Sequence, residues 1–203
     1  MTKKRSKKKF LFIVVDGGDG AGKDTQARYI ARYYLQKGFL VRIRSHPASD
    51  NFFGRFSKKA LEEGGKKGHL KAAICYTGDV IRSLIKYYRQ KEGEVIVFSR
   101  YLLGVCYLPL PLVFAGYNLF AAILPTSKYF FFLDVNPQIA KERISNRGER
   151  GEMFETLSKL EKMQHKMKMV TKQKKWVIIN GDEQPKYVWN QIKKKLAFLD
   201  SLS

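Results

Sequence analysis

Acidic residues are scarce in this chain: 18 Asp and Glu stand against 39 Lys and Arg, a net charge of +21 over 203 residues. Such an excess disfavours basic partners and attracts polyanions, whether nucleic acid, polyphosphate, acidic membrane or nucleotides. It also fits a generally ion-rich surface, because the charges are spread along the chain and not gathered in one arm. Cysteine is nearly missing. Cys75 and Cys106 have no metal or redox spacing and cannot build a disulfide framework, which points to a reducing, cytoplasmic setting. Both sit in apolar surroundings, as buried small hydrophobes do. His46, His69 and His165 share no spacing, so none is read as a metal ligand. Long uncharged runs are also rare, with one exception from Leu102 to Ser127. That run is long enough to span a bilayer, but Gly104, Pro109, Pro111, Gly116 and Asn118 argue for a buried or subunit-interface helix and no transmembrane segment.

What the chain does have is a glycine-rich stretch, Asp16-Gly17-Gly18-Asp19-Gly20-Ala21-Gly22-Lys23-Asp24-Thr25. It has the G-x-x-x-x-G-K spacing of a phosphate-binding loop, with an apolar strand from Phe10 to Val15 leading in and a helix leading out. Glycines let the backbone wrap a phosphate chain with its N–H groups inward. The helix that follows adds its unsatisfied N–H groups and the positive end of its dipole. Gly17, Gly18, Asp19, Gly20, Ala21, Gly22, Lys23, Asp24 and Thr25 are therefore the candidate ATP-binding residues, with Lys23 supplying a full charge. The residue after the lysine is ordinarily a hydroxyl that ligates Mg²⁺, and here it is Asp24, itself a hard oxygen ligand.

Along the chain, a basic tail (1–9) precedes one domain (10–203). The apolar run behind the tail is too short, and too soon interrupted by glycines, for a signal peptide. Ala27, Ile30, Ala31, Tyr34 and Leu35 recur at helical spacing, with Gly38 as the stop. Phe39 to Arg44 predicts a second strand, and Ser45 to Gly68 a loop around a short helix. His69 to Arg89 predicts a long helix, and Val95 to Phe98 a third strand. A fourth strand runs from Tyr129 to Leu133. Asn136-Pro137 then caps a helix that ends in a charged loop (about 145–153). Phe154 to Val170 predicts another helix, Trp176 to Ile179 a last strand, and a closing helix follows. Alternating strands and helices predict an α/β three-layer sandwich: a parallel, five-stranded sheet with helices on both faces and a short lid. Ligands belong at the carboxyl ends of its strands.

With these pieces in order the chain resembles the thymidylate kinase family of P-loop nucleoside monophosphate kinases, from Phe12 to about Leu199. Phe12 to Lys23 looks like that family's opening. Ser99-Arg100-Tyr101 is similar to its Asp-Arg-Tyr/Phe motif, and Gly104-Val105-Cys106-Tyr107 to the segment beneath the acceptor base. Phe132 to Pro137 resembles its fourth-strand signature, and Arg143-x-x-x-Arg147-Gly148 its lid. The resemblance implies transfer of the ATP γ-phosphoryl group to a nucleoside monophosphate, dTMP to dTDP, with Mg²⁺. It implies Lys23, Arg100, Arg147 and Arg150 as catalytic residues. Asp16, Arg82, Arg100, Tyr101 and Tyr107 would contact the acceptor, whose side His46 faces. It also implies a homodimer paired through the uncharged segment.

Several positions depart from the family pattern. Ser99 replaces an aspartate, and Ser45-His46-Pro47 stands where Arg-Glu-Pro would. Asp79-Val80 stands for Asp-Arg, with Arg82 near enough to substitute. Asp24 and Ser99 exchange chemical types, so the pair is the candidate metal site. Two alternatives remain open: a polyphosphate-dependent nucleotide kinase, whose loops often read Asp-x-x-Gly-Lys-Asp, and a non-catalytic nucleotide- or RNA-binding protein.

Overall fold

The computed structural model describes residues 9–63, 65–147, 156–172 and 176–201. The expected basic tail apart from Lys9, and the expected lid beyond Arg147, lie outside the described residues. The strands are β1 (Leu11–Gly17), β2 (Leu40–Ser45), β3 (Glu94–Ser99), β4 (Tyr129–Asp134) and β5 (Val177–Asn180). They form one five-stranded sheet in the order β2-β3-β1-β4-β5, parallel throughout. The helices are α1 (Lys23–Gln36), α2 (Phe52–Glu63), α3 (Gly65–Tyr87), α4 (Leu110–Ile123), α5 (Pro137–Arg147), α6 (Leu157–Lys172) and α7 (Pro185–Ser201).

β1, β3 and β4 read as unbroken apolar runs because both faces of the sheet are covered. Ile13, Val15, Val97 and Phe131 point to the face under α1 and α7, where they meet Ile30, Tyr34 and Ile192. Phe12, Val14, Phe98 and Phe132 point to the opposite face, against Val80 of α3 and Val113 of α4. The helix boundaries have local causes. Gly38, at φ 75°, takes the left-handed position after α1, and the N–H groups of Gly38 and Phe39 bond back to Leu35 and Tyr34 carbonyls. Asn136 Oδ1 accepts from the Gln138 N–H at 2.9 Å and caps α5.

Two expectations need correction. The region from Ser45 to Gly68 is mostly helical: Asn51 Oδ1 accepts the Gly54 N–H and starts the three-turn α2. Phe53 of that helix packs against Gly78 of α3, where any Cβ would come within 2.9 Å of its ring. The uncharged segment is not one buried helix. It divides into a short 3-10 turn, Leu103–Tyr107, and α4, with Pro109 between them. α4 leaves Leu110, Leu112, Leu119 and Ile123 exposed. No helix among the described residues is long and apolar enough to cross a membrane. Cys106 is buried as expected, whereas Cys75 is half-exposed.

The register sets out the floor of the site. Ser99 lies opposite Val15 on β1 and Ser45 on β2. β2 and β3 thus end in one row, and β1 runs two residues further, to Gly17, before its loop.

Candidate active site

The turn after β1 is shaped by its glycines. Gly20 and Gly22 adopt φ of 74° and 83°, which side chains disfavour. A Cβ on Gly20 would come within 2.5 Å of the Ala140 carbonyl oxygen, so the loop sits directly on α5. On the other side, a Cβ at Gly18 or Gly22 would meet nothing within 4 Å. Gly22 also serves as the N-cap of α1 and offers no side chain to its N–H groups, which remain directed at whatever lies over the loop. Lys23 is 3% exposed. Its Nζ donates to the Gly18 carbonyl at 2.5 Å and lies 3.6 Å from Asp19 Oδ1. Burial, reinforced by the Arg100 charge, pushes the Lys23 ammonium down to about 8 against the pull of Asp19, Asp16 and Asp24.

Arg100 reaches toward this loop from the end of β3. Its backbone is left-handed, φ 61°, an unusual state for a residue with a side chain. Three contacts hold that turn. The Arg100 N–H donates to Val15 O at 3.2 Å. His46 Nδ1 lies 3.0 Å from Arg100 O, and because a carbonyl only accepts, Nδ1 carries the proton. Asp16 Oδ2 accepts from the N–H groups of Tyr101 and Leu103 at 2.9 and 3.0 Å, while Oδ1 accepts from Gly17. Burial pushes His46 down to about 4, so its ring is neutral at pH 7.

The Arg100 guanidinium spans two carboxylates: Nη2 lies 3.4 Å from Asp19 Oδ1, and Nη1 lies 3.3 Å from Asp24 Oδ2. Tyr107 donates its phenol proton to Asp19 Oδ2 at 2.7 Å. Asp24 Oδ1 accepts from Ser99 at 2.8 Å and from Ser45 at 2.9 Å. Burial works to raise both acids. Lys23 and Arg100 nevertheless bring Asp19 down to about 2. Arg100 with the two serine hydroxyls likewise holds Asp24 below the usual carboxylate range.

The structure therefore brings Lys23, Asp19, Asp24, Ser99, Arg100 and Tyr107 into one cluster. Ser45 belongs with them; on sequence it is only the place where an arginine is missing. Other predicted residues lie elsewhere. Asp16 is 1% exposed and its carboxylate is engaged by backbone N–H groups, so it anchors the turn and does not face a ligand. Tyr101 is a core residue: its ring packs against Phe12, Phe98 and Phe130, and its hydroxyl donates to Pro125 O at 3.0 Å. Arg82 lies toward Asp50, whose carboxyl is held low chiefly by hydrogen bonds from Arg44 with a smaller part from the Arg82 charge, and its Nη1 is buried without a hydrogen-bond partner among the described residues. Thr25 is half-buried in the first turn of α1. Arg147 is exposed at the last residue of α5, and Arg150 lies outside the described residues. Arg143, one turn earlier, donates to the carbonyls of Gly181, Asp182 and Glu183 at 2.8, 2.7 and 3.0 Å, tying α5 to the loop before α7.

These groups suit a phosphate chain with a divalent cation. Open space above Gly18 and Gly22, a buried ammonium and an uncapped helix N-terminus are what a phosphate chain requires. Asp24 is a 43% exposed carboxylate beside them. Mg²⁺ commonly takes only one or two carboxylates together with phosphate oxygens, so Asp24 can serve as the protein ligand. Ser99 is fully buried and supports that carboxylate from behind.

Residues 15–192 match the thymidylate kinase family. The chain belongs to the thymidylate kinase family. A probable thymidylate kinase of Thermococcus kodakarensis is 26% identical over 210 residues, covering 95% of this chain and 98% of that one. The corresponding protein of Thermococcus onnurineus is 33% identical over 101 residues, and that match spans 45% of this chain and about half, 49%, of the relative. Among solved structures, deoxyadenosine kinase from M. mycoides with bound dATP superposes with a TM-score of 0.68 at 18% identity, covering 92% of this chain and 100% of that one. At that identity the likeness establishes the fold, a P-loop α/β sandwich. The thymidylate kinase family is a family of nucleotide kinases, and Lys23 and Arg100 both lie within the matched residues.

Proposed function

We propose that this protein transfers the γ-phosphoryl group of ATP to a nucleoside monophosphate, converting dTMP to dTDP. The observation that carries this reading is the position of Arg100. Its fork stands between the phosphate loop, through Asp19, and the end of β3, where Asp24 and Ser99 meet. A cation there can face a donor γ-phosphate and an acceptor phosphate together. Lys23 and the loop N–H groups would hold the β- and γ-phosphates. Arg100 would hold the acceptor phosphate as a planar fork, with Tyr107 alongside. Asp24 would hold Mg²⁺, which supplies positive charge to the phosphate oxygens. The bond from the γ-phosphorus to its bridging oxygen breaks as an acceptor phosphate oxygen bonds to it. The protein's part is positioning and charge. Arg147 and Arg150 belong to this reading as lid cations.

The same loop favours a second donor. Asp24 directly after Lys23 completes Asp-x-x-Gly-Lys-Asp, and the +21 charge suits a long polyanion. Supplying either ATP or polyphosphate to a panel of monophosphates (dTMP, dUMP, AMP, CMP, GMP) separates the readings. The proposal requires ATP-dependent dTDP formation. Turnover with polyphosphate alone selects the second donor. Salt-sensitive RNA binding without any turnover identifies a non-catalytic binder.

Homodimerisation is part of the proposal. Ile74, Ile81 and Ile85 form an exposed apolar row on α3, and Leu112, Leu119 and Ile123 form another on α4. Between the two helices lies an apolar cavity of about 200 Å³, reaching Tyr76 and Leu108. A monomer with so basic a surface would leave these rows wet, whereas isologous pairing covers them.

A further inference from the structure

Asp24 is held in two different ways at its two oxygens. Oδ1 takes close hydrogen bonds from neutral hydroxyls, Ser99 at 2.8 Å and Ser45 at 2.9 Å. These serines end neighbouring strands in matched register, so their spacing is set by the sheet. Oδ2 faces Arg100 Nη1 at 3.3 Å. Charge-assisted N–H···O bonds close to about 2.7–2.9 Å when the geometry allows. At 3.3 and 3.4 Å the guanidinium spans Asp24 and Asp19 without closing on either. Both side chains of the looser pair reach solvent, Arg100 at 24% and Asp24 at 43% exposure. Besides Arg100, Asp19 has Tyr107 at 2.7 Å and Lys23 at 3.6 Å.

We infer that Arg100 is an exchangeable counter-ion of Asp24: the phosphate of an incoming monophosphate draws the guanidinium away, and Asp24 Oδ2 is thereby released to bind the Mg²⁺ that accompanies the donor nucleotide. Ser45 and Ser99 are positioning residues that keep Asp24 aimed while its partner changes. A phosphate dianion offers the fork several oxygens at once, where each carboxylate now offers one at long range. Until the exchange, Arg100 competes with the metal for Asp24. Acceptor and metal binding are therefore coupled, and the coupling is reciprocal. The device depends on the aspartate at position 24. A hydroxyl there would carry no charge for Arg100 to neutralise, and nothing would be released. This inference rests on the phosphotransferase reading above.

The test is calorimetry of AMP-PNP binding, with Mg²⁺ and with EDTA, in the absence and presence of saturating dTMP. In the wild type, dTMP should tighten the Mg²⁺-dependent part by about fivefold or more, within the usual range of such couplings. Arg100→Gln should bind Mg·AMP-PNP more tightly than wild type without dTMP, because Asp24 is already released. A residue that merely supports the fold would move the affinity the other way. Asp24→Asn should abolish the coupling. Ser45→Ala should weaken the Mg²⁺-dependent part by about tenfold, as loss of a ligand's supporting bond does, with or without dTMP, and Ser45→Thr should restore it. The inference is overturned if both ligands bind wild type with no coupling, or if Arg100→Gln weakens the Mg²⁺-dependent part. If neither AMP-PNP nor dTMP binds, the kinase reading fails and this inference fails with it.

Discussion

The hydroxyl of Ser99, at the end of β3, donates a 2.8 Å hydrogen bond to the carboxylate of Asp24, in the first turn of α1. Two of the positions at which the chain departs from the pattern it resembles are thus in direct contact. The carboxylate stands on the loop side and the hydroxyl on β3, the reverse of the pattern the chain resembles, with Ser45 adding a second hydroxyl. The double swap Asp24→Ser with Ser99→Asp should recover much of the Mg²⁺-dependent activity that each single change loses. Strictly additive losses would mean that the two departures are unrelated.

Gly20 and Gly18 should separate folding from binding. Gly20→Ala places a Cβ within 2.5 Å of the Ala140 carbonyl oxygen at a φ of 74°, a strain of about 1–3 kcal/mol. Gly18→Ala meets nothing within 4 Å and should change stability by less than about 0.5 kcal/mol. Its methyl group projects where phosphate belongs, so ATP affinity should still fall. Thermal melts and calorimetry on both variants check this; equal melting losses would contradict the seating of the loop on α5.

Burial brings Lys23 down to about 8, and phosphate binds the charged amine. Above that pH, ATP must recharge the lysine as it binds, so affinity should fall by up to about tenfold per pH unit. The sign for stability is opposite. The unfolded lysine, with its ordinary value of 10.5, holds its proton more tightly than the folded one. Between about 8 and 10.5 the Lys23 contribution to stability therefore rises with pH. A flat ATP-affinity profile from pH 7 to 9, by calorimetry, would contradict a buried lysine at the phosphates.

Sedimentation should find a dimer. Ile85→Glu and Leu119→Glu alter residues that are 78% and 60% exposed in the single chain, so each should leave folding intact and shift the protein toward monomer. A wild type that sediments strictly as a monomer would leave the rows on α3 and α4 to another role.

The phosphate loop was legible because apolar strand, glycines, lysine and helix follow one another locally, and each constrains the next. The sheet was legible for a similar reason: strands covered on both faces read as unbroken apolar runs. α2 was not legible. Gly64, Gly65 and Gly68 suggest turns, and the packing of Phe53 on Gly78 is a contact that spacing alone does not reveal. The sequence places Asp16 on the ligand side, because it does not show that Tyr101 and Leu103 N–H groups claim its carboxylate. Ser45 was missed because its role comes from strand register: only the alignment of β2 with β3 sets it beside Ser99. That register signal exists in the sequence only after the strand order is known.

Phosphoryl transfer from radiolabelled γ-phosphate ATP to dTMP, by wild type and by Lys23→Ala, tests the kinase reading most directly. Lys23 is the buried cation of the phosphate loop, held at Gly18 O and Asp19, and its loss removes the main protein counter-charge to the transferring group. Labelled dTDP should form with wild type and fall by at least about a hundredfold with Lys23→Ala. Equal rates for the two proteins, or no transfer by wild type to any monophosphate, would contradict it.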